Sequence, residues 1–202
     1  MVVQEKDEPV SDRRIRACLF RILARTQLCS IATVARGNRA HINTAFFAYS
    51  ADLALYFLSD PESLHSRNLQ ANPSLAMTIF DSSQRWERPG QGVQFFGAGR
   101  RTVGPQTDLA AKVYGTRFPA FGRWLKSRTT EGRRQAALLR SYAFFRFLPD
   151  RVKILDEVEF GGAVFVLAEV ERARTAKGSS RIRFRWLKTE VLVPDSIGLD
   201  LR

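Results

Sequence analysis

The chain has 202 residues, 45% of them apolar and 26% charged, a composition that suits one globular domain with a sizeable core. No run of about 18 apolar residues occurs, so no membrane-crossing helix is expected. A formal charge of +12 raises the question of nucleic acid, but seven of the basic residues fall between Arg172 and Lys188 with no acidic residue among them.

In chain order, residues 1–10 read as a polar tail, and Met1 to Asp12 lack the apolar core of a signal peptide. Ser11 is a helix N-cap, followed by Ile15, Leu19, Ile22 and Leu23 as one apolar stripe at helical spacing. Leu28 to Val34 reads as a strand, Arg36 to Arg39 as a turn, His41 to Tyr49 as a second strand and Leu53 to Ser59 as a third. This is a meander, which disfavours a doubly wound nucleotide-binding fold. Asp60 and Pro61 signal a short helix that ends at Asn72-Pro73. Ser74 to Asp81 makes a fourth strand, and the Gly- and Pro-containing stretch from Ser82 to Gly92 a hairpin loop.

The strand that follows, Gly92 to Val103, alternates Val93, Phe95 and Gly97 with Gln94, Phe96 and Ala98. Glycines weaken a strand interior, so Gly97 and Gly99 point to a bulge, a bend or a close approach to the backbone. One or two helices are expected over Gln106–Leu125, with Phe118-Pro119 ending a helical stretch, and another over Glu131–Ser141. Ala143–Leu148 and Val152–Glu159 read as a strand pair and Ala163–Val170 as a further strand. Arg181 to Trp186 alternates arginines with Ile182, Phe184 and Trp186. That pattern reads as an edge strand with solvated arginines in preference to a nucleic-acid or polyanion surface.

Several chemistries are absent from the pattern. Cys18 and Cys29 have no pairing motif and fit a reducing cytoplasm, and two histidines with two scattered cysteines give no metal site. No nucleophile elbow, phosphate-binding loop or zinc-protease motif occurs. Asp156, Glu157 and Glu159 have nothing that marks them as an acid–base pair.

The blocks Asn43-Thr44-Ala45-Phe46-Phe47, Gly92-Val93-Gln94-Phe95-x-Gly97, Arg100-Arg101, Asp108 to Tyr114 and Arg117-Phe118-Pro119 occur in an order that resembles the pyridoxamine-5′-phosphate-oxidase-like split barrels, and most closely an uncharacterised YhbP-like branch. The likeness spans about Ser11 to Val166. It implies a mainly β (α+β) fold, a six-stranded antiparallel split β-barrel of Greek-key type with flanking helices. The expected domain covers residues 11–171, and 172–202 form a basic extension. The resemblance also implies a homodimer holding FMN in clefts between subunits.

On that resemblance Asn43, Thr44 and Ala45 run beside the flavin ring. The helix after Asp60 offers its N-terminus, with Ser63, His65 and Arg67, to the phosphate. His65 stands where many family members have a lysine, and a neutral imidazole gives one donor and no fixed charge. Gln94, an amide among Val93, Phe95 and Phe96, is the candidate partner for a flavin edge. The reading that follows is a cytoplasmic flavin-dependent oxidoreductase acting on an unknown small molecule, with NADPH or NADH as electron donor. The alternatives are deazaflavin as cofactor, a flavin- or haem-sequestering protein without turnover, and a polyanion-binding protein.

Overall fold

Helix α1 (Asp12–Arg25) forms where the apolar stripe and the cap coincide. Ser11 Oγ accepts from the Arg14 N–H, and Ile15, Cys18, Leu19, Ile22 and Leu23 are all buried. The computed structural model describes residues 1–174 and 180–194. Lys177 of the basic segment and residues 195–202 lie outside the described residues.

Alternation sets the strands, which are β1 (Val2–Lys6), β2 (Leu28–Ala35), β3 (Arg39–Tyr49), β4 (Leu55–Ser59), β5 (Ser74–Phe80), β6 (Gln91–Arg101), β7 (Ala143–Asp156), β8 (Val164–Arg174) and β9 (Ser180–Val193). They form one antiparallel sheet in the order β1-β9-β8-β7-β4-β3-β2-β5-β6, and β6 pairs again with β7. That second pairing closes β7, β4, β3, β2, β5 and β6 into the six-stranded ring expected of a split barrel. Phe47, Phe57, Phe95, Phe145 and Phe147 are buried in its core, where α1 packs over β5, β6, β7 and β9. Beyond β6 the chain forms α3 (Pro105–Arg117), α4 (Pro119–Lys126) and α5 (Thr130–Ser141). Their aromatics build a second cluster with Ala48, Tyr56 and Phe144 outside the ring.

Several boundaries differ from expectation for physical reasons. The short helix α2 (Leu64–Ala71) starts three residues late, with Ser63 as its cap. The Asp60-Pro61 signal instead makes a turn in which Asp60 Oδ1 accepts from the Glu62 N–H at 2.8 Å. The expected strand pair around Pro149 is one continuous strand, β7. Proline is tolerated there because Pro149 lies opposite Gly97 at a register shift between Phe96 and Gly97. A Cβ on Gly97 would stand 2.3 Å from the Leu148 carbonyl oxygen, so only glycine fits. β7 stops at Asp156, and Glu157–Phe160 form a single helical turn, α6.

Residues 2–6, expected in a tail, pair with β9 as the outermost strand, so β9 is not itself an edge. Ile182 and Phe184 are buried as expected and Trp186 partly so, while Arg185 pairs with Glu169 and Glu171. Among the described residues no helix is long and apolar enough to cross a membrane.

Candidate functional site

The ring is incompletely zipped on one side. β4 covers only Phe47–Tyr49 of β3, whereas β2 accompanies β3 from Arg39 to Phe46. Asn43, Thr44, Ala45 and Phe46 thus present a strand edge that β4 leaves open, and a cleft of about 610 Å³ lies against it. That volume is in the range of small-molecule and cofactor sites.

The wall opposite β3 comes from three directions. Leu58 and Ser59 end β4, Asp60, Ser63 and His65 supply the turn and first residues of α2, and the helices contribute Tyr114, Phe118, Phe121, Trp124 and Leu139, with Tyr142 beyond α5. Tyr114, Phe118, Phe121 and Phe144 pack with ring centroids 4.7–5.8 Å apart, which holds this aromatic wall in place. Burial pushes the Tyr114 hydroxyl up to about 12, so it stays protonated.

The polar end is compact. His65 Nε2 lies 2.5 Å from Ser59 Oγ and 3.1 Å from Ser63 Oγ. Ser63 Oγ and Ser66 Oγ each donate to the Asp60 carbonyl at 2.7 Å. The His65 ring stacks on His41 of β3, with centroids 6.1 Å apart and planes 6° apart. Burial holds the His65 pKa below its ordinary value, the neighbouring His41 lowers it further, and Asp60 opposes both. Asn43 Oδ1 is buried with no hydrogen-bond partner among the described residues, an uncommon state for an amide oxygen.

Five of the expected site residues, Asn43, Thr44, Ala45, Ser63 and His65, therefore line one cleft. Two do not. Arg67 is exposed on α2 away from the lining. Gln94 is exposed as well, on the outer face of β6 between Thr78 and Lys153, because alternation turns Val93 and Phe95 inward. The premise that its amide is buried fails for the single chain. Trp86 stands 98% exposed in the β5–β6 loop, whereas Trp124 lines the cleft. Sequence reasoning missed Ser59, Tyr142 and the role of His41, which sit in strand or linker contexts without a motif. Tyr114 was within reach, since it closes the Asp108-to-Tyr114 block.

The family model described as Pyridoxamine 5′-phosphate oxidase matches residues 17–156, more than half of the chain. The UPF0306 protein YhbP of Salmonella paratyphi A is 38% identical over 76 residues, 37% of this chain and 51% of that protein, so the match spans about half of the relative. Among solved structures, Campylobacter jejuni ChuZ superposes with a TM-score of 0.61 at 10% identity, over 81% of this chain and 61% of that one. A heme binding protein from Mycobacterium smegmatis superposes with a TM-score of 0.54 at 12% identity, over 92% and 89%. At these identities the structural likeness is one of fold.

Proposed function

The chain belongs to the pyridoxamine 5′-phosphate oxidase family, in its YhbP-like branch, and from that premise we propose that the cleft between β3 and α2 binds a flavin. The observation that carries this reading is the unpartnered, buried Asn43 Oδ1 beside an open strand edge. A buried acceptor without a donor costs about 1–3 kcal/mol, and a planar heterocycle carrying ring N–H groups relieves that cost on binding. The edge of β3 offers backbone donors and acceptors next to it, and the aromatic wall covers the faces of a flat ring. Asn43, Thr44 and Ala45 would hold the ring end, with Ser63 and His65 toward the phosphate end if the flavin is FMN.

Bound flavin would supply the electron-accepting centre, and the protein would supply binding, orientation and exclusion of water. The activity proposed is oxidoreduction of a small molecule with a reduced nicotinamide as donor. We also propose a homodimer. Ile42 and Phe96 are exposed in one row across the outer face of β3, β2, β5 and β6, and a second copy there would cover them and enclose Gln94. Two buried free thiols, Cys18 and Cys29, support a reducing, cytoplasmic setting.

A second reading, sequestration of haem without turnover, draws on the fold shared with a heme binding protein and on the apolar, aromatic lining. The visible spectrum of the purified protein separates the two. Flavin bands, or quenching of added flavin fluorescence, support the first reading. A haem Soret band with no flavin uptake supports the second and overturns the first.

A further inference from the structure

Within one chain, a phosphate in this cleft would meet no lysine or arginine among the described lining residues. Asp60 is the charged side chain that lines it. The hydroxyls are already engaged, Ser63 with the Asp60 carbonyl and Ser59 with His65. The lining group able to become cationic is His65, whose ring stacks on His41 of β3.

We propose that this site takes up a proton when it binds a phosphorylated ligand, with protonated His65 meeting the phosphate. The proposal rests on the flavin reading and takes FMN as the ligand. The groups facing His65 are accounted for by element. β3 brings His41 and the uncharged Asn43, the end of β4 brings Ser59, and the turn before α2 brings the Asp60 carboxylate. Ser63 Oγ lies 3.1 Å from His65 Nε2, and the helical wall carries Tyr114 and Tyr142 in the same cleft. Of these, only Asp60 favours an imidazolium, and it repels a phosphate. A proton on His65 therefore does for this site what a lysine would do permanently.

Without an anion beside it, the buried His65, next to His41, is held below the ordinary histidine value. A phosphate dianion raises its affinity for protons. Binding should therefore strengthen as pH falls from the raised bound-state value toward the lowered free-state value, and level off below it. Riboflavin, which has no phosphate, should show no such dependence.

The test is a fluorescence titration of the full chain with FMN and with riboflavin from about pH 8.5 to about pH 6, the range where histidine titrates. The FMN-to-riboflavin affinity ratio should rise as pH falls, by at most about tenfold per pH unit for one proton. His65→Gln should hold that ratio flat and low. The phosphate's own protonation, near pH 6, is common to both proteins and drops out of the comparison. Calorimetry of the unmodified protein in two buffers of different ionisation enthalpy should show proton uptake with FMN and none with riboflavin. Flavin binding with a pH-independent ratio, or with the same pH dependence in His65→Gln, would overturn this proposal alone. Failure to bind either flavin would overturn the flavin reading together with it.

Discussion

Arg117 of α3 places its guanidinium over the ring of Phe47 in β3, 4.9 Å from the centroid, while its Nη2 donates to the carbonyls of Leu23 and Thr26. One side chain thus satisfies carbonyls at the end of α1 that the helix leaves orphaned, and it ties three elements together. Arg117→Leu removes the donors and leaves those carbonyls in a mostly apolar setting. The expected loss is about 1–3 kcal/mol of stability, read as a lower urea midpoint. Arg117→Lys should restore only part of it, because an ammonium lacks the planar fork. An unchanged midpoint in Arg117→Leu would contradict this role.

Gly97 and Gly99 should differ sharply when given a methyl group. The Cβ of an alanine at 97 would meet backbone, the Leu148 carbonyl at 2.3 Å and the Pro149 Cα at 2.8 Å, so the β6–β7 pairing must move. Alanine at 99 meets the Leu75 Cδ1 at 2.6 Å, the end of a flexible side chain. Thermal melting should show Gly97→Ala losing at least the roughly 1–3 kcal/mol typical of overpacking, and Gly99→Ala losing less.

Much of the fold was legible because it is written in short-range periodicity. The stripe Ile15, Leu19, Ile22, Leu23 gave α1, and alternation gave the meander and the buried pair Ile182 and Phe184. Two other features defeat that method. β1 has every residue exposed, so Val2 to Lys6 carry no alternation to read, and only pairing with β9 makes them a strand. Pro149 looks like a break until the bulge at Gly97 opposite it is known. At the site, β3 is readable from its motif and α2 from its Asn72-Pro73 end, while its start lies beyond the Asp60-Pro61 signal. The aromatic wall was not, since Tyr114, Phe121, Trp124 and Tyr142 converge only through the packing of three helices. Gln94 was misplaced because one polar residue among apolar ones looks buried until the direction of the alternation is fixed.

Glu157 is a latch for the β5–β6 loop. Its carboxylate accepts from the backbone N–H groups of Gly90 at 2.6 Å and Ala163 at 3.0 Å, and these bonds hold its pKa below the ordinary carboxylate value. A depressed folded-state pKa stabilises above the unfolded value, and that contribution is lost as pH falls through the folded one. Glu157→Gln should therefore melt below the parent protein at pH 7, with the gap closing once pH drops below about 4. A gap that persists in acid would show that the latch does not depend on charge.

The exposed row of Ile42 and Phe96 should be an interface between two copies of the chain. Light scattering at micromolar concentration should return about twice the 22.9 kDa chain mass. Phe96→Asp should shift the population toward one copy. A parent protein that scatters as a single chain would contradict the dimer.

If Asn43 faces a bound flavin, its replacement in Asn43→Leu should show in a flavin titration. Leucine removes the orphaned acceptor, so the ligand-free variant should be at least as stable as its parent. It should nevertheless bind FMN and riboflavin alike about tenfold more weakly, the equivalent of roughly 1.4 kcal/mol of lost hydrogen bonding to the ring. Equal affinity in parent and variant, or no flavin binding by the parent, would contradict a flavin site in this cleft.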